Sequence, residues 1–289
     1  MNNGLYGIGN TATGAISKIE IYEFSRTTKP SNASGSNGSY TWSLPTGAKL
    51  VEIFMIGGGG GGGSGRKGAT GTARYGGGGG SSAGVVHTTF VASLINTPIS
   101  ITIGAGGGGG SSQTANDTNG NAGSIGNAST VTFNSSSTAV FTAEFGQGGG
   151  GGSTTAGTAG ALVSNRICTF RGNSGQAANV TNLSGIPEGI AVNGNVALPG
   201  AAGGSMDGGS NIYTPGTVSL PATFFSVSTQ IGSNGGGGAA SNSANGGSGS
   251  NGAGYGYGGC GGGSATNNIG NSGAGGNGGD GYLRITVWF

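Results

Sequence analysis

Few residues of this chain could carry out catalysis. His87 is its only histidine, so a histidine metal cluster cannot form, and a Ser-His-Asp triad would have to be built around a residue inside a strand pattern. The eight acidic residues are scattered and give no support for a glycosidase pair: Glu20, Glu23, Glu52, Asp117, Glu144, Glu188, Asp207 and Asp280. The sequence therefore predicts a protein that is not an enzyme and has no metal site.

Nucleotide and redox motifs are equally weak. Gly-x-Gly-x-x-Gly occurs many times, but within glycine tracts it has no meaning, and no copy sits in a strand–helix unit. The segment Gly65-Arg66-Lys67-Gly68 only loosely resembles a phosphate-binding loop, because glycine follows Lys67 instead of serine or threonine. We expect no cofactor. The two cysteines, Cys168 and Cys260, could form one disulfide or remain two free thiols.

Charge and hydropathy exclude several partners. The net charge is +2 and the 10 basic residues are dispersed, whereas a nucleic-acid surface shows a basic patch. No apolar run approaches the roughly 20 residues that span a bilayer, and the first residues lack the features of a signal peptide. If the protein works outside a cell, release by lysis as part of a particle fits this sequence better than export by an ordinary secretion signal.

Binding has better support than catalysis. Several tyrosines have neighbours too small to cover them, as in antibody loops that are rich in tyrosine, serine and glycine. With the nearby guanidinium groups they are candidates for contact with a surface glycan or an outer-surface protein: Arg66, Arg74, Tyr75, Tyr213, Tyr255 and Tyr257. The alternative is that these rings fill gaps in the core.

The elements that must position these residues are strands and glycine tracts. The chain has 74 glycines and only 7 prolines, without the period of collagen. A flexible linker would share this composition, but segments rich in β-branched and aromatic residues recur, as at 49–56, 99–103 and 282–289. Segments 40–44 and 49–56 are predicted to form a hairpin. No segment has a helical period, so the fold class is all-β.

The strand at 49–56 runs into seven consecutive glycines, 57–63. Glycine loses the most freedom on folding, so ordering such tracts requires close packing and complete hydrogen bonding. A polyproline II helix has no internal hydrogen bonds, so glycine-only helices of this type can bond to one another. We expect a β-sandwich whose tracts pack as polyglycine II helices, with loops displayed at the ends.

The N-terminal part differs from the rest. Apolar and polar residues alternate across 15–24, so Ile19, Ile21, Tyr22 and Phe24 are attachment candidates on a strand with one buried face. Residues 1–30 are either an attachment segment that adds a strand to the sheet edge of a partner or the first strand of the main domain. Residues 31–39 are predicted to be a linker, and 40–289 a glycine-rich β domain with an irregular insertion at 153–234.

The sequence resembles the glycine-rich domain at the ends of bacteriophage tail fibres and related virion proteins. Three motifs carry the resemblance: Tyr40-Thr-Trp-Ser-Leu-Pro-Thr-Gly running into Val51-Glu-Ile-Phe-Met-Ile-Gly-Gly-Gly, then Ile99-Ser-Ile-Thr-Ile-Gly-Ala-Gly-Gly, then Gly278-Gly-Asp-Gly-Tyr-Leu-Arg-Ile-Thr-Val. It covers roughly 40–152 and 235–289, whereas 153–234 does not fit the pattern. It implies a virion location and a host receptor bound by loops, here 64–75, 153–234 and 239–258.

An alternative is a capsid or tail decoration protein that makes no receptor contact. A homotrimer would suit a fibre or spike, although no heptad is present. The irregular spacing of threonine disfavours ice binding.

Overall fold

The computed structural model describes residues 18–95, 97–133, 140–161, 175, 177–178, 200–207, 211–213, 215 and 237–289. Within them the chain is almost entirely β-structure and irregular backbone, with one short 3₁₀ helix at Ala92–Leu94. The strands are β1 (Ile19–Phe24), β2 (Ser34–Ser36), β3 (Ser39–Trp42), β4 (Leu50–Ile56), β5 (Lys67–Gly68), β6 (Val85–Val91), β7 (Ile99–Thr102), β8 (Ser129–Phe133), β9 (Val140–Ala143), β10 (Ser205–Met206), β11 (Ile212–Tyr213), β12 (Ala265–Thr266) and β13 (Tyr282–Trp288). The all-β prediction is confirmed.

The first sheet joins the two ends of the described chain. Its order is β1-β13-β4-β6, and all three pairings are antiparallel. β1 is therefore an edge strand of the main domain, paired within its own chain. β4 and β13, in the centre, are the strands whose composition is most apolar, and most of their residues are buried.

The second sheet has the order β2-β3-β7-β8-β9, again antiparallel. Two predictions are corrected here. Residues 31–39 are not only a linker: they contain β2, and Asn37 and Gly38 turn the chain with φ of 52° and 82°. β3 and β4 do not form a hairpin, because β3 pairs with β7 and β4 pairs with β6, so the intervening chain crosses between the sheets.

One hydrophobic core fills the space between the two sheets. Ile53, Met55 and Leu283 from the first sheet and Ile101 and Val131 from the second are at most 1% exposed. Aromatic pairs close the core along both edges, with centroid separations of 4.8 Å for Tyr22–Trp42, 5.8 Å for Phe24–Tyr40 and 5.5 Å for Phe90–Phe133. Alternation along each strand places these side chains on the inner faces.

The first glycine tract leaves β4 and becomes the centre of a polyglycine layer. We call residues 57–66 the central segment. Its successive amides donate in turn to carbonyls of three other segments: 121–127, 273–279 and 75–81. Each of these segments therefore accepts a hydrogen bond from every third residue of the central segment. The donor and acceptor pairs, 2.9–3.0 Å apart, are Gly58–Asn127, Gly59–Gly279, Gly60–Ser81, Gly61–Ser124, Gly62–Gly276, Gly63–Gly78, Ser64–Asn121, Gly65–Gly273 and Arg66–Tyr75. A repeat of three residues is that of the polyproline II helix.

The carbonyls of the central segment serve three further segments. Amides at 107–110, 146–152 and 259–262 donate to them over 2.8–2.9 Å. Six segments thus surround the central one, and a Cβ added at any glycine of the tract would lie 1.9–2.1 Å from a neighbouring carbonyl oxygen. The prediction of packed polyglycine II helices is confirmed, and only glycine fits at the centre of the layer.

At the rim of the layer, side chains take the place of further segments. Oδ1 of Asp280 accepts from Gly106 at 2.9 Å, and Oδ1 of Asn277 accepts from Gly109 at 2.8 Å. Asn251 accepts in the same way from Asn277, at 2.8 Å. Polar residues three positions apart therefore cap the amides that face outward.

Candidate functional site

The polyglycine layer has the sandwich at one end and a cluster of loops at the other. We call this second end the tip: residues 66–75, 113–119, 205–207, 211–213 and 265–270. The central segment connects β4 to the tip, and 76–84 returns to β6. At roughly 3.1 Å per residue, the tip stands about 30 Å from the sandwich.

Short backbone pairings hold the tip loops together. β5 pairs with β12 in parallel, and β10 pairs with β11 in antiparallel fashion. Isolated bridges join Lys67 to Thr118 and Arg74 to Met206. The tip is therefore a set of loops tied to one another and not a set of independent turns.

Three basic side chains lie inside the tip. Lys67 Nζ donates to the Thr114 carbonyl at 2.7 Å, and Arg66 Nη1 donates to Asn119 Oδ1. Arg74 Nη1 donates to the Ala69 carbonyl at 3.0 Å and to Thr266 Oγ1 at 3.1 Å. All three side chains are buried, and Arg74 is only 1% exposed. The structure therefore places the predicted contact residues Arg66 and Arg74 in the interior of the tip, where they bind the loops from within, and not at its surface.

Among the described residues, no carboxylate lies in direct contact with these buried cations. The acceptors named above are neutral oxygens, and the Nε atoms of Arg66 and Arg74 are buried without a hydrogen bond. Burial is the main influence on Arg74 and lowers the pKa of its guanidinium; Asp207 acts in the opposite sense, and Arg66 adds to the lowering.

The predicted rings Tyr75 and Tyr213 also lie at the tip, and both are partly exposed. The Tyr213 hydroxyl is 3.3 Å from Asp207 Oδ2, which also accepts from Asn211 Nδ2 at 2.8 Å. Burial and then the Asp207 carboxylate raise the pKa of Tyr213, and Tyr75 adds to this shift. The structure thus brings Tyr75 and Tyr213 to the same surface.

The predicted rings Tyr255 and Tyr257 lie at the opposite end. Tyr257 is 2% exposed, so the structure places this predicted contact residue in the interior of the protein and not at its surface. The ring of Tyr255 stacks on Tyr282 with centroids 4.7 Å apart, where the layer meets the first sheet. The part of the proposed loop 239–258 that contains Tyr255 and Tyr257 therefore lies at the sandwich end of the layer and does not reach the tip.

The sequence analysis missed a set of asparagines at the tip. Asn116 and Asn268 share two hydrogen bonds. Asn116 Nδ2 donates to Asn268 Oδ1 at 2.6 Å, and the Asn268 backbone amide donates to Asn116 Oδ1 at 3.2 Å. Asp117 and Asn268 have φ of 53° and 57°, a region that asparagine and aspartate tolerate better than most residues. The signal in the sequence was the asparagine-rich stretch 115–121, which follows the glycine tract 106–110.

The four attachment candidates divide between the two faces of β1. Phe24 is fully buried and Tyr22 packs on Trp42, so these two belong to the core. Ile19 and Ile21 are 55% and 61% exposed on the outer face. Ile19 begins an apolar row that crosses the first sheet through three partners in register: Trp288, Leu50 and Val91.

The single histidine does not lie at the tip. His87 lies on the outer face of the first sheet, with Nε2 2.5 Å from Glu52 Oε1. No group of three or more histidine, cysteine, aspartate or glutamate side chains in the described ranges is arranged to hold a metal ion. In the same ranges, no helix has the length and apolar character needed to cross a membrane. Residues 162–174, which include Cys168, and most of 179–236 lie outside the described residues.

In the comparison with known proteins, no curated protein matches this chain. A family model described as a glycine-rich domain matches residues 34–288, a range that takes in both the sandwich and the polyglycine layer. The chain belongs to this glycine-rich domain family.

Proposed function

We propose that the protein is a non-enzymatic virion surface protein, a phage tail-fibre tip or spike adhesin whose tip loops bind a receptor on the host cell. The observation that carries the proposal is the fixed tip: loops from distant parts of the chain converge at one end of a backbone lattice. Loops on a rigid frame are the usual place for recognition, and a preorganised surface loses less entropy on binding.

Tyr75 and Tyr213 are the side chains that we assign to the receptor, a surface glycan or an outer-surface protein. Aromatic rings supply a large contact area at low entropic cost. Asn116 and Asp117 are also exposed at the tip and are held by bonds from 265–270, so they can present polar groups in fixed positions.

At the other end, we assign Ile19 and Ile21 to attachment to another virion protein. β1 is an edge strand, so its outer side can accept a strand from a partner. The protein would be made in the host cytoplasm without a signal peptide and join the particle there. A homotrimer is the oligomeric state that would suit a fibre or spike.

The experiment compares tyrosines at the two ends of the molecule. Tyr75→Ala and Tyr213→Ala should each weaken binding of the purified protein to host cells about tenfold or more, the range for a binding hot spot. Tyr255→Ala is the matched control, because it removes the same ring far from the tip. Equal binding by all three variants would contradict the assignment of the tip.

A decoration protein without receptor contact is the second candidate, since the apolar row on the first sheet accounts for attachment without any receptor. Exposed apolar patches of this kind mark protein interfaces. Ile21→Lys would remove the protein from particles under either candidate, so exchange of residues 153–234 with those of a related phage separates them: for a decoration protein it would leave host range unchanged. A change of host range would instead support the adhesin.

A further inference from the structure

Tyr75 and Tyr213 lie in one row of a small sheet at the tip. The bridge between Arg74 and Met206 is antiparallel, so Tyr75 lies opposite Ser205. Ser205 in turn pairs with Tyr213 where β10 meets β11. Opposite residues on neighbouring strands share a face, and neighbouring strands are about 4.8 Å apart, so the Cα atoms of the two tyrosines are roughly 10 Å apart. The two rings therefore flank the small side chain of Ser205 on one surface.

Two further observations place the rings close together. The amide of Gly76, next to Tyr75, donates to Ser205 Oγ at 3.0 Å, so the chain stays beside β10. Burial is the main cause of the raised pKa of Tyr213, and Tyr75 adds to it, which requires a short separation. Arg74, on the opposite face of the row, is 1% exposed, whereas both tyrosines are partly exposed. The face that carries the rings is therefore the outer one.

A carboxylate lies beside the second ring. Asp207 directly follows β10 and is partly exposed. Its Oδ2 accepts from the Tyr213 hydroxyl at 3.3 Å and from Asn211 Nδ2 at 2.8 Å, and its Oδ1 accepts from the Asn211 amide at 3.3 Å. These contacts hold an acceptor group in a fixed position at the edge of the ring surface.

The charge of this carboxylate is balanced from inside the tip. Burial lowers the pKa of Arg74 and Asp207 opposes that change, so the two groups interact electrostatically. Arg74 is held by the Ala69 carbonyl and Thr266 Oγ1, out of reach of a ligand. A charged ligand would lose hydration here and gain little from a carboxylate that is already balanced. A hydroxyl group can donate to Asp207 without bringing a charge.

A ring in contact with a carboxylate suits a sugar better than a protein partner. The buried centre of a protein–protein interface is depleted in charged residues, whereas Asp207 contacts Tyr213 directly. A sugar has an apolar C–H face bordered by hydroxyl groups. Aromatic rings with a few fixed polar groups are the usual lining of a site for such a small ligand.

We propose that Tyr75, Tyr213 and Asp207 form one binding site for an uncharged sugar unit of the receptor. This inference rests on the proposed function, to which it adds the chemical class of the receptor and Asp207 as a contact. The rings pack on the C–H face of the sugar, and Asp207 accepts hydrogen bonds from its hydroxyl groups. Neither contact needs a charge on the ligand, so binding should be insensitive to salt.

The first test measures adsorption of the full chain to host cells treated with periodate or with protease. Periodate cleaves the vicinal diols of sugars and should lower adsorption about tenfold or more, as when the main contacts of an interface are lost. Protease treatment, and a rise in salt from about 0.01 to 0.5 M, should leave adsorption largely unchanged. Adsorption that survives periodate, or that falls several-fold with salt, would overturn the inference. Survival of periodate with loss after protease would identify a protein receptor.

A matched pair of aspartate variants locates the site. Asp207→Asn removes the charge that strengthens the hydrogen bonds to the sugar and should lower adsorption about tenfold. Asp280→Asn makes the same change at the rim of the layer, where Asp280 Oδ1 accepts from Gly106. Asn277 already makes the equivalent bond with Gly109, so Asp280→Asn should leave adsorption unchanged. Equal effects of the two variants would mean that net charge matters and not the position of Asp207.

Tyr213→Phe separates the role of the ring from that of the hydroxyl. This variant keeps the ring and should retain most of the adsorption that Tyr213→Ala loses. Equal losses would show that the ring does not pack on the ligand. Thermal midpoints verify that each variant folds, and if Asp207→Asn does not fold, Tyr213→Phe and the periodate series decide.

The same assay separates this inference from the proposed function. Adsorption that Tyr213→Ala abolishes but periodate leaves unchanged would preserve the adhesin and reject the sugar site. Failure of the unaltered protein to adsorb to host cells would reject the adhesin itself.

Discussion

The Tyr282 hydroxyl donates to Glu23 Oε1 at 2.6 Å, fastening β13 to β1 across 259 positions of sequence. Because the acceptor is a carboxylate, Tyr282→Phe should lower the free energy of unfolding by about 1.5–3 kcal/mol. Denaturant titration of the two proteins measures the difference. An unchanged midpoint would show that water replaces the phenol without cost.

Alkaline pH should destabilise the fold. Burial, and then the hydrogen bond with Glu20, raises the pKa of Tyr22 to about 12; burial and the bond with Glu23 also raise the pKa of Tyr282. Unfolded tyrosine releases its proton near pH 10, so the stabilisation is complete below about pH 10 and is lost as pH rises through the folded pKa values. Thermal midpoints from pH 8 to 12 test this, and Tyr22→Phe should flatten the decline.

Two neighbouring glycines should respond in opposite ways to the same substitution. A Cβ at Gly61 would lie 2.1 Å from the carbonyl oxygen of Gly108, whereas a Cβ at Gly108 would meet nothing within 4 Å. Gly61→Ala must open the layer and should prevent folding or remove several kcal/mol of stability. Gly108→Ala should change stability by about 0.5 kcal/mol or less. Similar thermal midpoints for the two variants would contradict the packing described for the layer.

Cys260 should be inert in the folded protein. Its thiol is fully buried and accepts a hydrogen bond from the Ala201 amide at 3.4 Å, and burial raises its pKa to about 11. Because the thiolate is the reactive form, Cys260 should resist a disulfide-forming thiol reagent at pH 8 and react only after denaturant is added. Peptide mapping of the labelled chain reports on this residue. Rapid labelling of Cys260 without denaturant would refute its burial.

The strands and the nature of the layer could be predicted from sequence. β4, β7 and β13 follow from β-branched and aromatic residues, and the helix type of the tracts follows from the need of glycine backbones for partners. Which tract bonds to which could not be predicted. Glycine has no side chain to mark a register, so nothing local distinguishes the partner of Gly58 from that of Gly59.

The candidate site was predicted only in part. Tyr75 and Tyr213 were identified because their neighbours are small, but the same reasoning selected Tyr257, which is buried. Sequence shows whether a neighbour could cover a ring, and not whether a distant tract does so. The burial of Arg66 and Arg74 was missed for the same reason, since their acceptors come from 114–119 and 266 as well as from their own loop.

The rotation of donors along the central segment limits how this scaffold can change in length. Inserting one glycine would turn every amide beyond it by about a third of a turn and away from its acceptor, whereas three glycines would restore the orientation. Matched insertions across the layer can therefore lengthen it only in whole turns, and the height of the tip above the sandwich is quantised in steps of roughly 9 Å.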